Sequence, residues 1–136
     1  MNDCIFCKIL NGEIPCVKVY EDSEVLAFLD IAPNNKGHTL VITKEHHETM
    51  LDTPDELLSK LVVAVKKVGL GVYQATGSKG FNVAQNNYKV AGQLVPHIHF
   101  HIIPRNEDDG FEFWPQGKYG EGEMEEWRNK IVEALK

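Results

Sequence analysis

The stretch His97-Ile98-His99-Phe100-His101-Ile102-Ile103 alternates an imidazole with an apolar side chain. Successive side chains of a strand point to opposite faces, so a period of two predicts a strand with unlike faces. His97, His99 and His101 then share one face, neighbours roughly 6–7 Å apart, with Ile98, Phe100 and Ile102 on the other. The apolar back anchors the strand in a core, and a row of titratable, ligand-competent rings faces a cavity. With six histidines in 136 residues, chance produces such a row on the order of 1% of the time.

A chain of 136 residues is expected to form one domain and is long enough to bury a core. Its net charge of −6, from 14 Lys and Arg against 20 Asp and Glu, argues against nucleic acid or an anionic membrane as the main partner. A small anionic ligand is still admissible, because a site can be locally positive. Met1-Asn2-Asp3-Cys4 shows no basic region followed by a long apolar run, and no apolar run approaches a membrane span. The expected location is cytoplasmic. The three cysteines are then thiols or metal ligands rather than a disulfide framework.

Cys4-Ile5-Phe6-Cys7 is a C-x-x-C. It suits a redox pair, half of a zinc site, or two small residues in a first helical turn. Zinc needs two further ligands from elsewhere. Cys16 has no partner cysteine and reads as a small buried residue. Val17 to Glu21 and Glu24 to Leu29 read as strands joined by Asp22-Ser23. Asp30 ends the second run, either as a turn residue or as an acceptor for ligand hydroxyls. Asn34 to Gly37 is a loop, and His38 to Thr43 a β-branched strand. His46 and His47 are adjacent, so at most one joins a shared site. Thr53-Pro54-Asp55-Glu56 predicts a capped helix start. Leu57, Leu58, Leu61, Val62, Val65, Val68 and Val72 give that helix an apolar face ending near Gly77. Gly80 to Asn86 reads as a fourth strand. A loop ending in Gly92-Gln93 before the histidine row offers backbone N–H groups and an amide to an anion, or is an ordinary connection. Beyond Pro104-Arg105 the chain is acidic and irregular. It includes Trp114-Pro115, whose ring is suited to cover a pocket or a partner. A short amphipathic helix follows, with Met124, Trp127, Ile131 and Leu135 as its apolar side.

Together, His97-x-His99-x-His101, Gly92-Gln93, Phe28-x-Asp30-Ile31 and Gly37-His38-Thr39-Leu40-Val41-Ile42-x-Lys44-x-His46 resemble the histidine triad (HIT) superfamily of nucleotide hydrolases and transferases, in particular its HINT-like branch. The resemblance runs from Cys4 to about Arg105; residues 106–136 form a tail that varies in the family, within a single domain over 1–136. It implies an α+β fold: about five antiparallel strands packed with one long helix, plus the short C-terminal helix. It also implies a homodimer joined across the long helix and neighbouring strands.

The same resemblance implies a mechanism. His99 is the nucleophile toward the α-phosphorus of a nucleotide, giving a covalent nucleotidyl-histidine that water resolves. A neutral imidazole suits this near pH 7, and covalent catalysis splits one hard displacement into two. Its other ring nitrogen should donate to a backbone carbonyl, leaving the attacking nitrogen its lone pair. His101 contacts phosphate, and His38 lies close by. Gln93 and the backbone N–H of Leu94 hold non-bridging oxygens. Many relatives carry Ser or Thr where this chain has Leu94, so a side-chain hydroxyl is not available for the leaving group. Asp30 accepts the ribose hydroxyls. Phe28 and Ile31 line the base pocket, and Asn86 contacts phosphate or ribose beside Gly92. The implied substrate is an adenosine-type phosphoramidate, with AMP as product. The alternatives are a dinucleoside polyphosphate or a nucleotide-binding scaffold with incidental activity. A structural Zn2+ held by Cys4, Cys7, His46 and His97 is the implied cofactor, with His47 the competitor for the third position.

Overall fold

The computed structural model describes residues 3–112 and 114–136. Met1 and Asn2, where the N-terminal stretch read for a leader begins, and Phe113 lie outside the described residues. Five strands form one antiparallel sheet: β1 (Lys18–Glu21), β2 (Val25–Leu29), β3 (Thr39–Thr43), β4 (Gly80–Gln85) and β5 (His99–Arg105), in the order β1-β2-β3-β5-β4. Helices α1 (Ile5–Leu10), α2 (Asp55–Thr76) and α3 (Glu123–Ala134) complete the chain. This is the expected α+β architecture.

Strand alternation divides the sheet into two cores. Val25 and Ala27 of β2, Val41 of β3, and Ile98 and Ile102 around β5 pack with Leu61, Ala64, Val65 and Val68 of α2. Leu26, Phe28, Leu40 and Ile42 point the other way and pack with Cys4 and Phe6 at α1. The histidines of β5 lie on this second side. The long helix therefore supports the sheet from behind, and the short N-terminal helix meets the face that carries the polar rings. Among the described residues, no helix is long and apolar enough to cross a membrane.

Several local expectations are corrected. Thr53 does not cap α2: its hydroxyl donates to the Thr49 carbonyl at 2.7 Å, and Pro54 occupies the cap position without a side-chain bond. Gly77 ends the helix in the left-handed region, φ 64°, where a residue without Cβ is free of strain. Val62, placed on the apolar face by periodicity, is 47% exposed. His97 and Ile98 precede β5 rather than belong to it; the Ile98 N–H donates to the His47 carbonyl at 2.8 Å. The strand runs on through Pro104, which pairs with Phe81 beyond the last β3 pairing at Ile102. Pro104 is thus at a position where a missing ladder donor is tolerated. Cys16 is only partly buried. Helix α3 forms, yet none of its residues is buried, and Trp114 is 82% exposed. The Trp114 ring is thus largely open to solvent among the described residues.

Gly37, just before β3, combines φ 101° with a close approach: a Cβ there would lie 2.7 Å from Thr76 Cγ2. Gly37→Ala is expected to cost about 1–3 kcal/mol, read as a fall in Tm by calorimetry.

Candidate active site and metal centre

His97 is fully buried, and its ring is fixed at both nitrogens. Nε2 donates to the Thr43 carbonyl at 2.7 Å. A carbonyl can only accept, so the neutral ring presents the Nδ1 lone pair to its other side. There, Cys4 Sγ lies at 3.4 Å, Cys7 Sγ at 3.6 Å and His46 Nδ1 at 3.1 Å. Cys7 Sγ is also 3.3 Å from His46 Nδ1. The four ligand-type atoms all lie within 4.8 Å of one another. The C-x-x-C spans the start of α1, where the Cys7 N–H donates to Cys4 Sγ. His46, not His47, turns into the cluster; His47 Nε2 instead lies 2.6 Å from Glu45 Oε1. A tetrahedral zinc with its usual bond lengths sets such atoms about 3.3–3.8 Å apart. The observed spacings fall close to that, and two thiols with two imidazoles suit the ion. This cluster could hold a metal.

The His97 backbone has a separate task. Its carbonyl accepts from His99 Nδ1 at 2.7 Å. The neutral His99 ring therefore keeps its lone pair at Nε2, as the sequence reading requires of a nucleophile. Phe6 supports both rings edge-on, at centroid distances of 5.8 Å to His97 and 5.1 Å to His99, and meets Phe28 at 5.5 Å.

The His99 and His101 ring centroids are 5.0 Å apart on the same face. His38 Nε2 lies 2.9 Å from His101 Nδ1. Which nitrogen carries each proton follows from the backbone. The Asn34 N–H donates to His38 Nδ1 at 3.1 Å, so that nitrogen accepts. A neutral His38 then carries its proton on Nε2 and donates it to His101 Nδ1. A neutral His101 in turn carries its own proton on Nε2. Burial pushes the pKa of all three rings below the ordinary value, that of His101 to about 4, with His99 and His38 adding to the effect there. The three rings are therefore neutral at pH 7.

Asp30, His38 and His101 also bring three ligand-type atoms within 4.8 Å. The protons oppose a metal there. Ligation through His38 Nε2 requires a proton on Nδ1, where the Asn34 N–H already points.

A cavity of about 280 Å3 opens beside His99 and His101. Its wall includes Phe28, Asp30, Ile31, Gly92 and Leu94, together with Phe6, Ile9, Ile14 and Cys16. Asp30 lines this cavity and acts as the turn residue considered for it. Its Oδ1 closes a turn by accepting from Ala32 N at 2.9 Å, and Oδ2 lies 3.6 Å from His38 Nε2. Ile31 is 98% exposed at the rim, and Leu94 is 82% exposed. Asn86 stands behind Gly92: a Cβ on that glycine would lie 3.5 Å from Asn86 Nδ2.

Gln93 departs from its expected role. It is buried, its Oε1 accepts from Tyr88 N at 2.7 Å, and its Nε2 donates to the Glu48 carbonyl at 2.6 Å. The amide holds the 88–92 loop in shape instead of reaching toward the cavity. Sequence reading missed Phe6, the Asn34 N–H and the Thr43 carbonyl. Phe6 was visible as the aromatic inside C-x-x-C; the two backbone groups carry no residue-type signal.

The depressed His38 and His101 pKa values set the direction of acid sensitivity. Unfolded chains bind protons at these rings below about pH 6.5, and the folded chain does not until lower pH. Their stabilising contribution is thus full above pH 6.5 and lost as pH falls toward 4. Urea midpoints measured across that range are expected to drop on the acid side.

Residues 11–108 match the HIT domain family. The chain is similar to the adenosine 5'-monophosphoramidase of Schizosaccharomyces pombe, 46% identical over 135 residues with 98% of each chain covered. A HIT family protein of Bacillus subtilis superposes with a TM-score of 0.90 at 42% identity, covering 97% of this chain and 96% of that one. A zinc-bound histidine triad family protein of Mycobacterium smegmatis superposes with a TM-score of 0.77 at 32% identity, with 97% of each chain covered. The histidine row, the loop before it and the sheet that carries them thus have counterparts along nearly the whole chain, which belongs to the HIT domain family.

Proposed function

We propose that this HIT-family chain is a hydrolase that cleaves a P–N or P–O bond at the α-phosphate of adenosine-type nucleotides. One observation carries the reading: His99 Nδ1 is tied to the His97 carbonyl, so an unprotonated Nε2 stands beside a nucleotide-sized cavity. The S. pombe relative is named for adenosine monophosphoramidate cleavage, which favours the phosphoramidate over a dinucleoside polyphosphate. Both substrates pass through the same intermediate.

In the first step, His99 Nε2 bonds to phosphorus as the P–N or P–O bond to the leaving group breaks. The neutral His101 donates its Nε2–H to a phosphate oxygen. It also supplies the proton that a departing amine takes. Water then attacks phosphorus, its proton returns to His101 Nε2, and His99 leaves with its electron pair. Leu94 offers no hydroxyl to the leaving group; its backbone N–H is the group available to a non-bridging oxygen. Gln93 serves by shaping the loop that carries this N–H. Asp30 accepts the ribose hydroxyls, Phe28 and Ile31 flank the base, and Asn86 backs Gly92 at the phosphate end.

Single turnover with adenosine 5'-monophosphoramidate tests the reading. Wild type is expected to form a nucleotidylated protein, and His99→Ala to lose at least about 10³-fold in rate. A variant at wild-type rate overturns the nucleophile, and a wild type inert to both substrate classes favours a nucleotide-binding scaffold.

Zinc is the group that fits Cys4, Cys7, His46 and His97, where it supplies folding energy and no reactive step. Protein purified without chelator is expected to carry about one zinc per chain by elemental analysis. Cys7→Ser is expected to lower both zinc content and Tm, and a metal-free wild type of unchanged Tm contradicts the assignment. A homodimer accords with the apolar residues left exposed on α2 and β4, including Val63, Leu70, Phe81 and Val83. A mass near twice that of one chain in sedimentation is the expected result.

A further inference from the structure

The matched family region ends at residue 108, and the next residue is tied into the site. Asp109 accepts from Arg105 Nε at 2.7 Å and Nη2 at 2.9 Å, and from the backbone N–H groups of Asn106 and Phe111, each at 3.1 Å. It also accepts from Asn35 Nδ2 at 3.0 Å. Arg105 extends the network to Asn82 Oδ1 on β4 at 2.8 Å and to the Phe111 carbonyl at 2.8 Å. The Asn35 amide donates as well to the Pro104 carbonyl at 2.9 Å. The end of β5 and the turn after it therefore grip the Asn34-Asn35 loop.

That loop determines where protons sit in the active site. His38 N donates to the Asn35 carbonyl at 3.0 Å, and Asn34 N donates to His38 Nδ1 at 3.1 Å. The His38–His101 pair has two neutral arrangements. In one, His38 Nε2–H donates to His101 Nδ1, and His101 presents an N–H to the cavity. In the other, His101 Nδ1–H donates to His38 Nε2, and His101 presents a lone pair. The second arrangement repels a phosphate oxygen and has no proton to give. The His38–His101 contact alone does not choose between them. The Asn34 N–H does, because it excludes a proton on His38 Nδ1, and the Asp30 carboxylate 3.6 Å from His38 Nε2 favours the same arrangement.

We propose that Asp109 is a positioning residue for this site: through Asn35 it holds the Asn34 amide on His38 and so fixes the protonated nitrogen of His38 and His101. Its consequence for turnover rests on the role of His101 given above; its consequence for the rings does not. Asp109 lies in the tail, 71 residues in sequence from His38, and touches neither histidine ring.

The test compares wild type with Asp109→Ala, Asp109→Asn and Asn35→Ala. The readouts are long-range 1H–15N correlations of the histidine rings and kcat and KM for adenosine 5'-monophosphoramidate. Wild type is expected to show His38 protonated at Nε2 and unprotonated at Nδ1. In Asp109→Ala and Asn35→Ala, the two nitrogens of His38 and His101 move toward averaged shifts. With them, kcat falls about 10-fold or more while KM changes less than about two-fold. Asp109→Asn keeps a carbonyl oxygen for Asn35 and retains most of the wild-type pattern. Asn35→Ala leaves the Arg105–Asp109 pair intact, so it reports on the link even where loss of Asp109 unfolds the chain. Unchanged ring shifts in Asn35→Ala or in a folded Asp109→Ala overturn the proposal, as does a fall in kcat without a change in the rings. A wild type that does not turn over the phosphoramidate removes the hydrolase reading, and the ring shifts still decide the role of Asp109.

Discussion

The site depends on the hydrogen bond from His99 Nδ1 to the His97 carbonyl, 2.7 Å long and buried. It leaves the neutral His99 ring with its lone pair at Nε2, and it requires the His97 backbone to be held still. That backbone is immobilised by its own side chain, which is fixed at Nε2 by Thr43 and surrounded at Nδ1 by two thiols and an imidazole. The residue that anchors the cluster and the residue that orients the His99 ring are one and the same. The cluster is thus mechanically continuous with the chemistry, although none of its ligand-type atoms faces the cavity.

The two cores of the sheet explain why such an arrangement holds. Behind the sheet, α2 supplies ordinary aliphatic packing against Ile98 and Ile102, which are buried completely. In front, Phe6 fills the space between the imidazoles and Phe28. Aromatic edges against rings give both shape and a favourable electrostatic contact. The histidines are desolvated enough to stay neutral and are still reachable from the cavity.

Much of this was legible in the sequence because it rests on residue type and period. The H-x-H-x-H alternation announced the strand and its two faces; C-x-x-C offered two candidate ligands, and His46 and His97 joined them only through the resemblance to the HIT superfamily. His97 could not be separated from β5 by pattern alone, because its departure from the ladder is set by the cluster and by the Ile98 bond to His47. Gln93 was misread because an amide beside a histidine row suits an anion equally well as it suits a loop scaffold. Thr53 was misread as a cap because Thr49, four residues earlier, competes for its hydroxyl. The Asn34 and Thr43 contributions come from the main chain, which every residue carries, so no composition or motif points to them.

Helix α1 supplies one wall of the cavity through Phe6 and Ile9, and its Cys4 meets His97 across 93 positions of sequence. Such a long closure is entropically costly and is made late relative to local structure. During synthesis α1 precedes by about 90 residues the histidine strand it packs with. A chain that stops before β5 therefore has neither the complete cavity nor the oriented His99 ring. The cavity is complete only with β5, whose His99 and His101 line it.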